Sequence, residues 1–311
     1  MKTLSLDKAI EFYLAKRRQL GFRLKEDGQM LRQLARYAAQ HNHRGPPTRQ
    51  LALAWAQAPA RASRLWWARR LDTVRRFAIF WSAFDPRTEV PPSGVFGPSY
   101  RRRAVHIYTS QQTVALMEAA LDLGGIRGLS FHYVIGLLAC TGLRIGEALR
   151  LREEDIDWVA GLLTVRHSKL GRSRCLPLQA STLEALDTYR RKRRKHLQQG
   201  KPVPLFIEKN GKAITYGRAA SAFACLRRDL GWSMQPVPRW HDLRHTFAVT
   251  CLLDWYRKGD DIAPKILSLS TYLGHSQIQG TYWYLSAVPE LLALAHARWP
   301  ELNAKPGGTY V

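Results

Sequence analysis

The chain has 311 residues, of which 48 are lysine or arginine and 24 are aspartate or glutamate, giving a formal net charge of +24. Its hydrophobic fraction of 46% is typical of a globular protein and excludes an intrinsically disordered chain. The excess of positive charge indicates a polyanionic partner, because lysine and arginine displace the counterions condensed on a phosphate backbone.

The cysteines and the apolar segments exclude further classes of protein. Cys140, Cys175, Cys225 and Cys251 lie far apart and form no CxxC pair, so we expect buried or free thiols in a reducing compartment rather than disulfides or a zinc site. The N-terminus has no apolar core of signal-peptide length. No uncharged apolar run reaches the roughly 20 residues needed to span a bilayer. We therefore expect a cytoplasmic protein that does not associate with membranes.

The first 85 residues are predicted to form a helical domain. Leu6, Ile10, Tyr13 and Leu14 form one apolar stripe at helical spacing, and Met30, Leu31, Leu34 and Ala38 form a second. A short third helix is predicted from about Thr48. A fourth is predicted from about Ala60 to Phe84, directly before a proline.

The fourth predicted helix combines aromatic residues with an excess of arginine. Trp66, Trp67, Phe77, Phe80 and Trp81 are predicted on one side, where they are more typical of a core than of a surface that stacks on bases. A charged face could serve solubility alone. However, six arginines and a single acidic residue, Asp72, favour phosphate contact, and the candidates here are Arg69, Arg70, Arg75 and Arg76.

Residues 86–108 are rich in proline and glycine and show no periodicity, which predicts a linker between two domains. The linker contains Arg101, Arg102 and Arg103. In a passive linker these side chains would be solvated, whereas in a protein that wraps a duplex they would lie against its backbone.

The remainder of the chain predicts a mainly α-helical fold with a small β-hairpin section. Helices are predicted at 110–122, 130–140, 179–199, 215–230, 241–258, 264–273 and 289–298. A hairpin is predicted at 161–178, with HSKLGRS as its turn. Tyr284 falls in a short segment before the last helix, and the tail at 301–311 is predicted to be disordered.

Two segments carry residues suited to chemistry. In TGLRIGE, Arg144 and Glu147 are three residues apart, and in WHDLRHTF the same spacing puts His241 and Arg244 on one face of a helix. Each segment alone is weak evidence. An HxxR pair is usually a surface feature, and TGLR is usually a helix C-cap formed by Gly142.

A third segment, LGH, contains His275 and is followed by Tyr282 and Tyr284. Together and in this order, the segments resemble the catalytic domain of the tyrosine recombinase/integrase family. That family's pattern is an arginine in a TGLR-like segment, a lysine on a β-hairpin, HxLRH, LGH, and a tyrosine nine residues after the last histidine. The matching residues are Arg144, Lys169, His241, Arg244, His275 and Tyr284.

The resemblance covers about residues 109–298, within a catalytic domain predicted to span 109–300. Residues 1–85 look like the family's helical core-binding domain, although this rests on architecture and charge. The hairpin departs from the family pattern GKGxKxRxxPL at Leu170 and Arg172, and the PL ending selects Lys169. Spacing from His275 selects Tyr284 over Tyr282.

The chemistry of these side chains agrees with the activity that the resemblance implies. Attack on a phosphodiester builds negative charge on its non-bridging oxygens, and the planar guanidinium groups of Arg144 and Arg244 suit those oxygens. Two arginines can thus replace the metal ions of other nucleases, so we expect no metal and no other cofactor. Glu147 is predicted to orient Arg144 through a salt bridge.

The other residues move protons. The phenol of Tyr284 has an ordinary pKa near 10 and needs a cationic site or a base, and His241 could accept its proton. Lys169 could protonate the departing 5′ oxygen, and His275 could donate a hydrogen bond to a phosphate oxygen. Because the covalent 3′-phosphotyrosine stores the phosphodiester energy, rejoining would need no ATP.

The function expected from the resemblance is that of a site-specific DNA recombinase. Its partners would be double-stranded DNA with inverted-repeat sites and further copies of the chain, assembled as a tetramer on DNA, with the 289–298 helix as the candidate contact. We expect no arm-binding domain before the core-binding helices, which favours a simple integrase, transposon recombinase or resolvase. The main alternative is a catalytically silent DNA-binding regulator. A type IB topoisomerase and a metal-dependent nuclease are less well supported.

Overall fold

The computed structural model divides into two compact units, Met1–Arg103 and Ala104–Val311. The division falls within the predicted linker at 86–108. The structure describes residues 4–100, 103–166, 173–197, 204–275, 277–287 and 289–297. The hairpin turn with Lys169, the residues Arg101 and Arg102, and the tail at 301–311 lie outside the described residues.

The first unit is helical, as predicted. Its helices are α1 (Leu6–Gln19), α2 (Lys25–Gln40), α3 (Arg49–Gln57) and α4 (Arg64–Trp81). All eight residues of the two predicted apolar stripes are buried in its core. The hydroxyl of Ser63 accepts a hydrogen bond from the N–H of Trp66 at 3.3 Å. This N-cap starts α4 after Ser63 rather than near Ala60.

The aromatic side chains of α4 do not all face the core. Phe77 and Trp81 are buried, Phe80 packs at the edge of the core, and Trp66 is exposed. Trp67 donates from its indole nitrogen to the carbonyl of Pro59 at 3.1 Å. The prediction of a single aromatic side was therefore right for the C-terminal half of α4 and wrong for Trp66.

The second unit combines nine described helices with one small sheet. The helices are α5 (Ser110–Leu121), α6 (Gly125–Thr141), α7 (Ile145–Ala148), α8 (Ala180–Arg194), α9 (Tyr216–Asp229), α10 (Trp240–Arg257), α11 (Ile262–Leu273), α12 (Gln279–Ala287) and α13 (Pro289–Ala297). The strands are β1 (Ile156–Asp157), β2 (Leu162–Val165) and β3 (Arg174–Pro177).

The sheet is antiparallel with strand order β1-β2-β3. The predicted hairpin corresponds to β2 and β3, where Leu163 pairs with Leu176 and both side chains are buried. The short strand β1 was not predicted. Because side chains alternate along a strand, the same pairing sets the direction of Arg174 at the start of β3.

The last four helices pack around a core of their own, formed by α10, α11, α12 and α13. The sequence predicted three of them but not α12, which carries Tyr284 into this core. Within the described ranges, no helix combines the length and the apolar character needed to cross a membrane.

Candidate active site

Arg144 follows the turn that ends α6. Gly142 forms this turn at φ +60°, a left-handed conformation that glycine adopts readily. The peptide N–H of Arg144 donates to Oε2 of Glu147 at 3.1 Å, and Nη1 of Arg144 donates to Oε1 at 2.9 Å. Glu147 therefore fixes both the backbone and the side chain of Arg144.

A second arginine, Arg174 on β3, binds the same carboxylate. Its Nη1 lies 3.2 Å from Oε1 of Glu147 and its Nη2 lies 2.8 Å from Oε2. Burial by itself would raise the pKa of Glu147. The hydrogen bonds and charges of Arg174 and Arg144 outweigh burial and lower that pKa to about 2. Glu147 is thus a buried anion shared by two arginines.

Arg244 lies on α10 and is almost completely buried. Its Nη1 donates to the carbonyl of Gly142 at 2.9 Å, and its Nη2 donates to the carbonyl of Leu273 at 2.7 Å. Burial, together with the nearby charge of Arg144, lowers the pKa of Arg244 to about 10. The guanidinium consequently keeps its positive charge at neutral pH.

Three arginines from different parts of the chain meet the end of α11. Arg174 donates from Nε to the carbonyl of Tyr272 at 2.9 Å, Arg244 binds the carbonyl of Leu273, and Arg144 donates from Nη2 to the carbonyl of Gly274 at 3.2 Å. The C-terminal carbonyls of a helix carry partial negative charge and lack partners within the helix. They therefore hold together three like charges that would otherwise repel one another.

Tyr284 on α12 points into this cluster and is 2% exposed. Its hydroxyl lies 3.3 Å from Nδ1 of His245. Burial raises the pKa of Tyr284, while the charge and hydrogen bonding of Arg244, and the charge of Arg144, act in the opposite direction. The phenol is therefore protonated at neutral pH but lies in a cationic environment.

Three histidines belong to the same cluster: the rings of His245 and His275 lie against that of Tyr284, and the ring of His241 lies against that of His245. Burial comes first in lowering the pKa of His241 to about 4, of His245 to about 3 and of His275 to about 4, and nearby positive charges add to the effect in all three. His275 lies 2.7 Å through Nδ1 from the hydroxyl of Thr281, which fixes its ring. All three imidazoles are thus neutral at pH 7 and can donate or accept a proton.

This arrangement lies in the part of the chain that matches a known family. Residues 107–290, more than half of the chain, match the phage integrase family. The chain belongs to this family of tyrosine recombinases. A putative integrase/recombinase, y4rB of Sinorhizobium fredii, is 38% identical over 300 residues, which cover 93% of this chain and 95% of the relative. Tyrosine recombinase XerC of Chlamydia caviae is 27% identical, covering 73% and 69%.

Solved structures of other integrases share the fold. The Tn1549 transposon integrase in complex with transposon right end DNA matches with a TM-score of 0.70 and 17% identity, covering 97% of this chain and 100% of that one. A lambda integrase dimer bound to a COC′ core site matches with a TM-score of 0.65 and 17% identity, covering 91% and 77%. At this identity the likeness concerns the fold alone.

Within this integrase fold, most of the predicted site residues come together. Arg144, Glu147, His241, Arg244, His275 and Tyr284 all belong to the cluster described above. Tyr282, the competing tyrosine, is 47% exposed and does not share this environment. Lys169 lies outside the described residues.

Sequence reasoning missed two members of the cluster in this integrase. Arg174 belongs to the RxxPL end of the hairpin, which served only to align Lys169. His245 directly follows Arg244 and shares a helix face with His241, four residues earlier. That i,i+4 spacing was the available signal. The packing of α12 then places the hydroxyl of Tyr284 beside His245.

The arginines proposed to touch a DNA backbone have different surroundings. Arg69 is exposed and forms an ion pair with Glu26. Arg76 is exposed and lies near Asp27 and Asp72. Arg75 is half-buried and donates to the carbonyl of Pro91. Arg103 is exposed.

Arg70 does not fit the expectation of backbone contact. It is buried, its guanidinium carbon lies 3.7 Å from the ring centroid of Trp55, and its Nη2 donates to the carbonyl of Trp55 at 2.7 Å. Because the guanidinium is buried in the core of the first unit and stacked on Trp55, Arg70 is poorly placed to contact a phosphate.

The last described helix, α13, also contributes to the core of its own unit. Leu291 is buried against the α10–α12 core, and Arg257 pairs with Glu290 at 2.6 Å. Leu292 is exposed. Part of the apolar surface of α13 is therefore buried within the chain, and part is exposed.

Proposed function

We propose that this chain is a site-specific DNA recombinase of the integrase or transposon type, which cleaves and rejoins DNA through a 3′-phosphotyrosine at Tyr284 without metal or ATP. The observation that carries the proposal is the buried phenol of Tyr284, which lies close to the charges of Arg144 and Arg244 and against the neutral imidazoles of His245 and His275. A phenol beside guanidinium groups is suited to attack a phosphate, because the positive charges stabilise both the phenolate and the phosphate oxygens.

The charge balance of the cluster favours a bound phosphate. Arg144, Arg174 and Arg244 contribute three positive charges and Glu147 one negative charge, while the histidines are neutral. The resulting excess of two positive charges would bind one phosphodiester and stabilise the additional charge that builds up during attack. Arg144 is the more accessible of the two predicted clamps, and Arg244 is the more rigidly held.

The reaction transfers one DNA phosphate to the tyrosine and back. The phenolic oxygen of Tyr284 attacks phosphorus and gives up its proton to a neighbouring neutral imidazole, while the 5′ oxygen of the neighbouring nucleotide leaves with a proton. Lys169 would supply this proton as the general acid. His275, held by Thr281, would donate a hydrogen bond to a non-bridging oxygen. His241, a neutral imidazole close to the two arginines, would donate a further hydrogen bond to the same phosphate.

Double-stranded DNA is the proposed polyanion, with inverted-repeat sites and a tetramer of the chain at the point of exchange. The net charge of +24 supports a DNA partner, and the similar Tn1549 and lambda integrase structures contain DNA. Exchange between two duplexes needs four cuts, so four copies would each supply one Tyr284. Exposed apolar positions of α13 such as Leu292 are the proposed contact between copies.

The test is the formation of a covalent adduct. The purified chain is incubated in EDTA with a library of nicked duplexes of random sequence. Cleavage next to the nick releases a short strand, which prevents rejoining and traps the covalent adduct. Adducts are then separated on denaturing gels. The wild type and Tyr282→Phe are expected to become attached to DNA, whereas Tyr284→Phe is not. An adduct with Tyr284→Phe would contradict the proposal, and a wild type that shifts DNA without attachment would favour the regulator.

A further inference from the structure

The hydroxyl of Tyr284 has neighbours of two kinds. Arg244 acts on it by charge and hydrogen bonding, and Nδ1 of His245 lies 3.3 Å from its oxygen. An arginine has N–H donors and no acceptor, so Arg244 can only donate to the phenolic oxygen. The hydroxyl keeps its own proton to donate, and Nδ1 of His245 can accept it in the tautomer that carries the ring proton on Nε2.

We propose that His245, rather than His241, takes the proton of Tyr284 when the phenolic oxygen attacks a DNA phosphate. This inference rests on the function proposed above and assigns one of its steps. As the Oη–P bond forms, the proton passes from Oη to Nδ1 of His245. The P–O5′ bond breaks, and its electron pair leaves with the 5′ oxygen, which is protonated separately by Lys169. During rejoining, His245 returns its proton to Tyr284.

The position of His241 argues for a different task. Its ring lies edge-on to that of His245, with centroids 4.6 Å apart, and burial, followed by the charges of Arg244 and Arg144, lowers its pKa to about 4. Among the described residues, His245 is the histidine with a ring nitrogen at hydrogen-bonding distance from the Tyr284 hydroxyl. His241 is consequently better placed to donate to a phosphate held by the arginines than to receive the phenolic proton.

The surroundings of His245 keep its acceptor available. Burial, followed by His241, Arg239, Arg244 and His275, lowers its pKa to about 3, so the ring is neutral at pH 7. A phosphate bound between the arginines would offset their charge and make the imidazole more basic. The base would thus be strengthened only when DNA is in place.

The ring of His245 is also held in position by aromatic contacts. Trp283 and Tyr284 both lie against it, with ring centroids 5.2 Å and 5.4 Å away at steep angles. A side chain packed in this way loses little conformational freedom when the substrate binds. These contacts hold the His245 ring with Nδ1 facing the phenol.

The experiment compares the variants His245→Ala and His245→Asn in the same adduct assay under single-turnover conditions. Asparagine places an oxygen near the position of Nδ1 and can hold the hydroxyl, but an amide does not take up a proton. Both variants are expected to slow attachment by about 10²–10⁴-fold, the usual contribution of a general base. Melting temperature and DNA affinity identify any variant that is slow only because it is misfolded, and His245→Asn is then the informative one.

Acidifying the nucleophile provides the decisive comparison. With 3,5-difluorotyrosine at position 284, the phenol needs less help to lose its proton. We expect this change to raise the rate of DNA attachment by His245→Ala about tenfold or more. The rate of His241→Ala should not rise. A 5′-phosphorothiolate, whose sulfur leaves without protonation, should rescue Lys169→Ala but not His245→Ala.

The outcomes separate this inference from the proposed function. If the wild type forms no adduct, the proposed function fails. If the wild type forms the adduct and His245→Asn is equally fast, or if difluorotyrosine rescues His241→Ala instead, only the assignment of His245 is overturned.

Discussion

Replacing Glu147 with glutamine removes a buried negative charge that Arg144 and Arg174 share. The Glu147 side chain is 3% exposed, and its pKa is lowered from 4.5 to about 2. At about 1.4 kcal/mol for each pKa unit, the ion pairs contribute about 3 kcal/mol to the stability of the second unit at neutral pH. Breaking a buried pair typically costs about 3–5 kcal/mol, which agrees with this value.

The expected result of Glu147→Gln is a lower melting temperature of the second unit. For a unit of about 200 residues, about 3 kcal/mol corresponds to roughly 6–12 °C. Scanning calorimetry at pH 7 measures this shift. Because the folded-state pKa of Glu147 is depressed, its contribution is complete above pH 4.5 and is lost as the pH falls from 4.5 towards 2. The difference between wild type and variant should therefore shrink at pH 3.

Glu184→Gln is the matched control, because Glu184 lies exposed on α8. This substitution should change stability by no more than about 0.5 kcal/mol. If Glu147→Gln lowered the melting temperature no more than Glu184→Gln, or if its effect did not depend on pH, the shared ion pair would not stabilise the fold and our reasoning would be refuted.

Three further substitutions test other parts of the structure. Gly142→Ala should cost at least about 1–2 kcal/mol, because the left-handed turn disfavours alanine and the new Cβ would lie 2.5 Å from an aromatic carbon of α10. Gly217→Ala is the control, since that position has free space around it, and it should be neutral or stabilising in the same melting assay. Arg70→Met should cost about 1–3 kcal/mol by removing the charged hydrogen bond from the guanidinium to the carbonyl of Trp55, and should not change the salt dependence of DNA binding; a change in that dependence would return Arg70 to the DNA interface. Arg103→Ala should leave the melting temperature unchanged and reduce the slope of log affinity against log salt by about 1, and an unaltered slope would remove Arg103 from the interface.

The helices were largely predictable because their signals are local. The stripes of α1 and α2 repeat at helical spacing, and their residues are buried where the spacing predicted. The predicted mainly α-helical fold with a small hairpin and the predicted family are confirmed. The start of α4 was placed too early, because the boundary is set by the hydrogen bond that the Ser63 hydroxyl accepts from the N–H of Trp66.

The site was predictable only where its residues occur in short, recognisable segments. The pairing of Arg174 with Glu147 joins residues 27 positions apart, and no local pattern in the sequence encodes it. The role of Arg70 is hidden in the same way, because an arginine buried on Trp55 and a solvent-facing arginine look alike in a basic helix. Long-range packing decides which charged side chains stay free for a ligand.

The end of α11 has a consequence for how this site can fail. Three consecutive carbonyls, those of Tyr272, Leu273 and Gly274, each anchor a different arginine. A substitution that unwinds or shifts this single turn would misalign all three guanidinium groups together, although every chemically active side chain would still be present. Inactivating changes should therefore cluster in a helix that supplies no reacting atom, and an inventory of intact catalytic residues would wrongly identify such a protein as active.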